Sequence, residues 1–478
     1  MTDIGQRTLV AIHGHLYQPP RQDPWTGDVA AEPSAAPFHD WNARIDSECY
    51  GPNGHAEFAE GRVNNYEHLS FDVGPTLTDW LADSAPDTLR SIVLGDESST
   101  SAYGHGGAIA HPWVHAILPL CTPADATTLV RWGITEFEFR FGRRPEGMWL
   151  PETAMDIATL RILSEQGIGY TIAAPLQVMA TRSDSGEWVA GAGDGRPVRI
   201  SLGDTPGSDS QIIVVPYDGA TSSLVAFGGG LNDGHALAQR IRERAADSAA
   251  VVVATDMESY GHHHRFGEMA LAVAIDSLSR DPNVELVTVG EIVARLDPID
   301  GVLLAPSAWS CAHGIERWRS DCGCRLGASS EHGQAWRAPL RAALDGVRLL
   351  VEQLPELSND LRNPPDARDA YVTVLLDETR WSGFVNEHVS GDPVRARTWL
   401  ELQRNLLLMY SSCGWFFDDA AGHETLIVLR HCRRAIELVI ELGGPDAQPM
   451  VRQRLAEMVS DERNCDGAAI WDQLVHST

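Results

Sequence analysis

Val251-Val252-Val253-Ala254-Thr255-Asp256-Met257-Glu258-Ser259-Tyr260-Gly261-His262-His263-His264 has the form of a buried strand that runs into a carboxylate and then a turn. A second stretch repeats the form: Gly147-Met148-Trp149-Leu150-Pro151-Glu152-Thr153. Helical apolar patterns follow both, over Phe266 to Ser279 and Met155 to Gln166. A carboxylate at the C-terminal end of a parallel strand is where open α/β sheets and (β/α) barrels hold their chemistry.

Working outward, the first three hundred residues alternate short apolar runs with 3.6-period segments. Strands are predicted at Leu9 to Ile12, Ser91 to Leu94, Gly147 to Leu150, Tyr170 to Ala173, Ile212 to Val215, Val251 to Ala254 and Glu285 to Val289. Further helices are predicted at Thr122 to Phe141 and Ala236 to Ala246. That alternation implies a parallel sheet with right-handed crossovers, here an α/β fold with an incomplete (β/α)7 barrel. Arg182 to Asp209, rich in Gly, Ser and Asp, reads as an excursion between strands. After about Pro298 the texture turns helical, with apolar stripes over Ala335 to Leu354, Asp366 to Leu376, Arg395 to Met409 and His423 to Leu442. The expected organisation is a catalytic barrel over 1–300 and a helical domain over 301–478 that lends an aromatic loop to the cleft.

Composition narrows the chemistry. The chain has 478 residues, a formal charge of −29 and no lysine. Pyridoxal phosphate enzymes, Schiff-base aldolases and Walker-type nucleotide sites all need a lysine. The acidic balance argues against a nucleic-acid partner, which calls for a basic face. No apolar run reaches transmembrane length and no secretory signal is visible, so no membrane partner is expected and a cytoplasmic location is. Eight scattered cysteines do not suggest a disulfide framework.

Two carboxylates from different strands suit glycosidic bond cleavage, in which one protonates the leaving oxygen and the other attacks or assists. Glu152 is the first candidate, with helix capping as its structural alternative. Trp149, on the same side of the strand, is positioned to stack on a sugar ring. Asp256 is the second, and Glu258 two residues on would push its pKa upward, as a general acid requires. Capping of the helix after His264 is again the alternative. His13-Gly14-His15 closes the first strand, and residues i and i+2 face one side, so both imidazoles can enter one cleft. Ser307 to Cys324 holds Trp309, Cys311, His313, Trp318, Cys322 and Cys324. The residue types admit zinc, but the usual Cys-x-x-Cys spacing is missing. The reading preferred is an ordered loop that brings Trp309 to the cleft mouth.

In this order these segments resemble glycoside hydrolase family 57. His13-Gly14-His15 with Gln18-Pro19 is similar to its first motif, and Gly104 to Pro112 leading to Ile117-Leu118-Pro119 to its second. Trp149-Leu150-Pro151-Glu152 resembles its third. Asp256-Met257-Glu258 resembles its fourth, with methionine in place of glycine, and Val287 to Glu291 its fifth. His39 to Asn42, Asn64 to Tyr66 and Ser412 to Asp418 are similar to a subgroup with a helical C-terminal extension. The resemblance implies a retaining double displacement on α-linked oligo- or polysaccharide, by hydrolysis or transfer. Glu152 would be the nucleophile and Asp256 the acid/base. His13, His15, Gln18, Trp149, Glu258, His262 and Trp309 would bind substrate, with no cofactor and no catalytic metal. Two alternatives stay open: a metal-dependent deacetylase or α-mannosidase-like enzyme using His13, His15, Asp256 and one of His262 to His264, and a non-catalytic carbohydrate-binding protein.

Overall fold

The computed structural model describes residues 7–203, 210–327 and 333–476. The end of the expected excursion, residues 204–209, and the opening 1–6 lie outside the described residues. Two compact units emerge. The first comprises Met1–Gln18, Ala31–His111 and Phe137–Trp309; the second comprises Pro19–Ala30, Pro112–Glu136 and Ser310–Thr478. A single boundary at residue 300 is therefore too simple. The chain leaves the first unit at Pro19 and again at Pro112, and Trp309 belongs with the barrel, where its backbone N–H donates to the Glu152 carbonyl at 3.0 Å.

The first unit is built on parallel strands: β1 (Thr8–Leu16), β2 (Ser70–Val73), β3 (Ala108–Ile109), β4 (Tyr170–Ala173), β5 (Gln211–Pro216), β6 (Ala250–Asp256) and β7 (Val284–Leu286). β1 lies between β6 and β2, and β2 continues to β3. Residues 147–149 bridge onward: Trp149 N–H donates to the Ala110 carbonyl and Met148 N–H to that of Tyr170. β4 pairs β5, and one bond from Asp218 N–H to the Val252 carbonyl (2.7 Å) joins β5 to β6. Among the described residues that one bond, from just beyond β5, links the two sheets on this side, and β7 pairs the start of β1.

Alternation along the strands explains where the site falls. Leu9 and Ala11 of β1, and Ala250, Val252 and Ala254 of β6, belong to one buried apolar cluster with Ile109, Trp149, Tyr170, Ile172 and Val215. Side chains repeat with period two, so the same column of β1 continues to His13 and His15, and that of β6 to Asp256. The bottom of the ring is apolar and its C-terminal end is polar.

Two sequence expectations fail here. Ser91 to Leu94 is not a strand but part of the helix Pro86–Tyr103, in which Ile92 is buried and Leu94 is exposed. A short apolar run without clear alternation fits either element. The strand that completes this part of the sheet is instead Ser70–Val73, four residues long. Glu285 to Val289 ends sooner than expected, because Thr288 caps a helix, Val289–Arg295.

Within the second unit the main helices are Arg337–Glu352, Pro393–Leu408 and His423–Glu441, each with a buried stripe. Asp366 to Leu376 breaks into Pro364–Ala370 and Val372–Leu376. Among the described residues no helix is long and apolar enough to cross a membrane.

Gly14 sits between the two β1 histidines, and a Cβ there would lie 2.5 Å from Met257 Sδ. Met257 is fully buried. Gly14→Ala is therefore expected to lower stability by about 1–3 kcal/mol through overpacking, measured by urea denaturation. An unchanged midpoint would show that Met257 yields freely.

Candidate active site

Register brings the first polar groups level. His15 of β1 lies opposite Asp256 of β6 on one side and Asp72 of β2 on the other. Asp72, fully buried, accepts hydrogen bonds from His13 Nε2 at 3.1 Å and His15 Nδ1 at 2.8 Å. Burial disfavours the imidazolium of both rings: it lowers the His13 pKa, against the pull of Asp72, and takes His15 to about 3. Burial also raises Asp72, with His13 working the other way. The direction that fits all three is a pair of neutral imidazoles donating to one carboxylate. Both rings stack on Trp149, at centroid distances of 4.9 Å and 5.1 Å.

Glu152 stands in a strained turn. Its φ of 58° and that of Thr153, 48°, are left-handed, a region that residues with a Cβ rarely occupy. Gln177 secures the turn: its Oε1 accepts from Thr153 Oγ1 at 2.8 Å, and its Nε2 donates to the Thr153 carbonyl at 2.8 Å. Trp309 Nε1 donates to Glu152 Oε2 at 2.9 Å, fixing the carboxylate. Capping does not explain Glu152, since Asp156 caps the helix Ile157–Glu165 by accepting from Thr159 N–H at 2.7 Å.

Asp256 ends β6 as an exposed residue, in contrast to the six buried residues before it. Its carboxyl is raised well above the ordinary range, first by desolvation, then by the charges of Glu258, Glu152 and Asp72. The retained water contact tempers the first cause, but the neighbouring charges act in the same direction. Glu258 is raised to about 7 by burial, and Tyr50 OH and Gln18 Nε2 (3.3 Å) donate to it in opposition. Neither carboxylate caps the helix Gly267–Ser279, whose N-cap is Phe266 with no side-chain bond.

Other assignments need correction. Trp149 is fully buried beneath the histidine rings and presents no face to a sugar. Trp309, half-buried, meets it edge-on at 5.0 Å and has Tyr217 at 6.3 Å. The three consecutive histidines diverge: His262 Nδ1 pairs with Glu48 at 2.5 Å, and His264 Nε2 donates to the Ala226 carbonyl at 3.1 Å. Both rings are thus engaged outside the metal set of the alternative reading. Sequence reasoning missed Asp72, Tyr50, Gln177 and Tyr217. Asp72 and Tyr217 had a signal, as polar residues at the C-terminal ends of short apolar runs. Tyr50 ends a short π-helix, Asp46–Tyr50, and Gln177 a 3-10 helix, Pro175–Gln177, and neither had one. In the second unit, Cys311, His313, Cys322 and Cys324 do converge, with ligand atoms all within 4.8 Å of one another.

A parallel α/β ring with carboxylates at its C-terminal end defines the class. Residues 89–303 match the model of glycosyl hydrolase family 57, and residues 332–478 match a domain of unknown function, DUF3536. The structure is similar to an exo-type maltose-forming amylase from Pyrococcus sp. ST04, with TM-score 0.71, 14% identity, 98% of this chain and 88% of that chain covered. It is also similar to a family 57 branching enzyme from Thermococcus kodakaraensis (TM-score 0.58, 15% identity, 94% of each chain). An α-amylase from Thermotoga maritima follows (TM-score 0.57, 15% identity, 98% of this chain and 99% of that chain). No curated protein matches the sequence. Residues 89–303 are thus similar to glycosyl hydrolase family 57, a match that indicates an enzyme of the glycoside hydrolase or transglycosidase class.

Asp72→Ala would strand two buried imidazole N–H groups. A loss of about 2–5 kcal/mol is expected, read from the urea midpoint, with Asp72→Asn losing less because it keeps one acceptor. Equal losses in both variants would mean that the bonds to the histidines contribute little.

Proposed function

We propose that this enzyme cleaves or transfers α-linked glucan by a retaining double displacement, with Glu152 as nucleophile and Asp256 as acid/base. The observation that carries the reading is the unlike treatment of two carboxylates that feel one another's charge. Glu152 is fixed by the Trp309 N–H, and Asp256 is driven toward its protonated form. Such divergence separates nucleophile from acid. The names of the similar structures, amylases and a branching enzyme, support α-linked glucose as the substrate class.

In the first step Asp256 gives its proton to the glycosidic oxygen as Glu152 attacks the anomeric carbon and the leaving sugar departs. In the second, ionised Asp256 takes a proton from water or an acceptor hydroxyl. That oxygen displaces Glu152, which restores the anomeric configuration. His15, Gln18, Glu258 and Trp309 would meet sugar hydroxyls, with fully buried His13 supporting them from below through Asp72. Neutral imidazoles suit this role, since a ring can donate at one nitrogen and accept at the other. Hydrolysis gives way to transfer where water is excluded from the acceptor side.

Expected outcomes are specific. Asp256→Ala and Glu152→Ala should each lose about 10²–10⁴-fold in kcat or more on α-linked oligosaccharides. With azide added, the first should yield a glycosyl azide of retained configuration and the second one of inverted configuration, resolved by NMR. Full activity in either variant overturns the assignment. A pH profile tests the acid. Asp256 must hold its proton, and the charge of Glu258 helps it do so. Glu258→Gln should therefore move the alkaline limb of kcat/KM downward by about one pH unit. A limb that stays put or moves upward would remove Asp256 as the titrating acid.

A further inference from the structure

We propose that the second unit carries a structural zinc ion bound by Cys311, His313, Cys322 and Cys324, a site separate from the carbohydrate chemistry and independent of that reading. Three of the six edges match a tetrahedron, and all six lie within 4.8 Å. Cys311 Sγ lies 4.0 Å from Cys322 Sγ and 3.9 Å from Cys324 Sγ, and Cys324 Sγ lies 3.6 Å from His313 Nδ1. Zinc with bonds of about 2.3 Å to sulfur and 2.0–2.1 Å to nitrogen requires edges of about 3.8 Å between sulfurs and about 3.6 Å from sulfur to nitrogen. The absent Cys-x-x-Cys spacing is made good by two tighter pairs, Cys311-x-His313 and Cys322-x-Cys324. Gly323, at φ 79° with open space where a Cβ would stand, lets both thiols of the second pair turn to one centre.

Charge supplies the independent argument. Arg337 is fully buried, and among the described residues its Nε and Nη2 have no hydrogen-bond partner, while Nη1 donates to the Cys324 carbonyl at 3.1 Å. Arg317, also buried, gives Nη1 to the Ser310 carbonyl and Nη2 to that of Phe416, with Nε unpartnered. A buried guanidinium needs a counter-charge. Asp418 supplies part of it, and three thiolates on one zinc ion would add to that. When Zn²⁺ displaces the three thiol protons and takes neutral His313 as fourth ligand, the centre carries one net negative charge beside the arginines. Four protein ligands leave no open position, which defines a structural rather than a catalytic ion.

The ion would fasten a segment with little regular structure. Residues 310–327 hold one short 3-10 helix, Glu316–Trp318, and otherwise depend on hydrogen bonds such as Leu326 and Gly327 N–H to the Asp418 carboxylate. Full-length protein purified under reducing conditions without a tag should contain about one zinc per chain by elemental analysis. After zinc is removed with a mercurial and chelator, cobalt(II) should restore one equivalent, with thiolate charge-transfer bands and tetrahedral visible absorption. His313→Cys should still bind and strengthen the charge-transfer bands. Cys322→Ser with Cys324→Ser should hold less than about a tenth of an equivalent, while Cys432→Ser, buried elsewhere, should match the parent. A parent chain that takes up neither metal, or whose Cys311, Cys322 and Cys324 pair as a disulfide with the third thiol freely reactive, overturns the proposal.

Discussion

The candidate site depends on one buried carboxylate. Asp72 joins β2 to β1 through His13 and His15, and so fixes the two rings on which Trp149 stacks. Backbone pairing alone would hold the strands together, but it would leave the imidazoles free to choose tautomer and rotamer. An acceptor-only group between them removes that choice. Because His15 is in register with Asp256 across the sheet, the clamp also sets the neighbour against which Asp256 is presented. Apolar packing below and the shared acceptor above make the end of the barrel rigid before any substrate arrives.

Asp72, Glu152, Asp256 and Glu258 crowd one end of this barrel, in a chain that has no lysine to set beside them. Their repulsion is met in two ways. Neutral donors are aimed at specific oxygens: Trp309 at Glu152, Tyr50 and Gln18 at Glu258, and the histidines at Asp72. What remains adds to burial in raising the proton affinity of Asp256, whereas Glu258 is raised by burial. A lysine placed there would favour the ionised forms of both.

The sequence made some of this legible and hid the rest for physical reasons. Long runs that end in an acid, such as Val251 to Asp256, carry their own evidence, because a buried strand and a polar terminus are both visible in the residue order. Ser70 to Val73 shows neither: four residues are too few for a period, so Asp72 stayed unread although its position obeys the same rule. Ile92 to Leu94 gave the opposite error, apolar enough for a strand but lying on a helix with a single buried face. Aromatic identity in Trp149 suggested a platform for a sugar, yet only packing decides whether a ring faces solvent, and here the histidines cover it. Spacing rules misjudged the cysteines too, since convergence of Cys311, His313, Cys322 and Cys324 depends on a loop path no pairwise spacing encodes.

The turn at Glu152 shows how this fold stores precision. Two consecutive left-handed residues with side chains cost about 1–3 kcal/mol each, and such strain persists only where the surroundings over-determine it. Gln177 bonds both the hydroxyl and the carbonyl of Thr153 and donates to Ser307 Oγ at 3.0 Å; Ser307 pairs its backbone with Met155, and Trp309 N–H holds the Glu152 carbonyl. These bonds hold residues 152 to 155, mostly through main chain, so the backbone together with the Trp309 indole sets the carboxylate's position. A carboxylate placed in that way cannot be moved without rebuilding the turn.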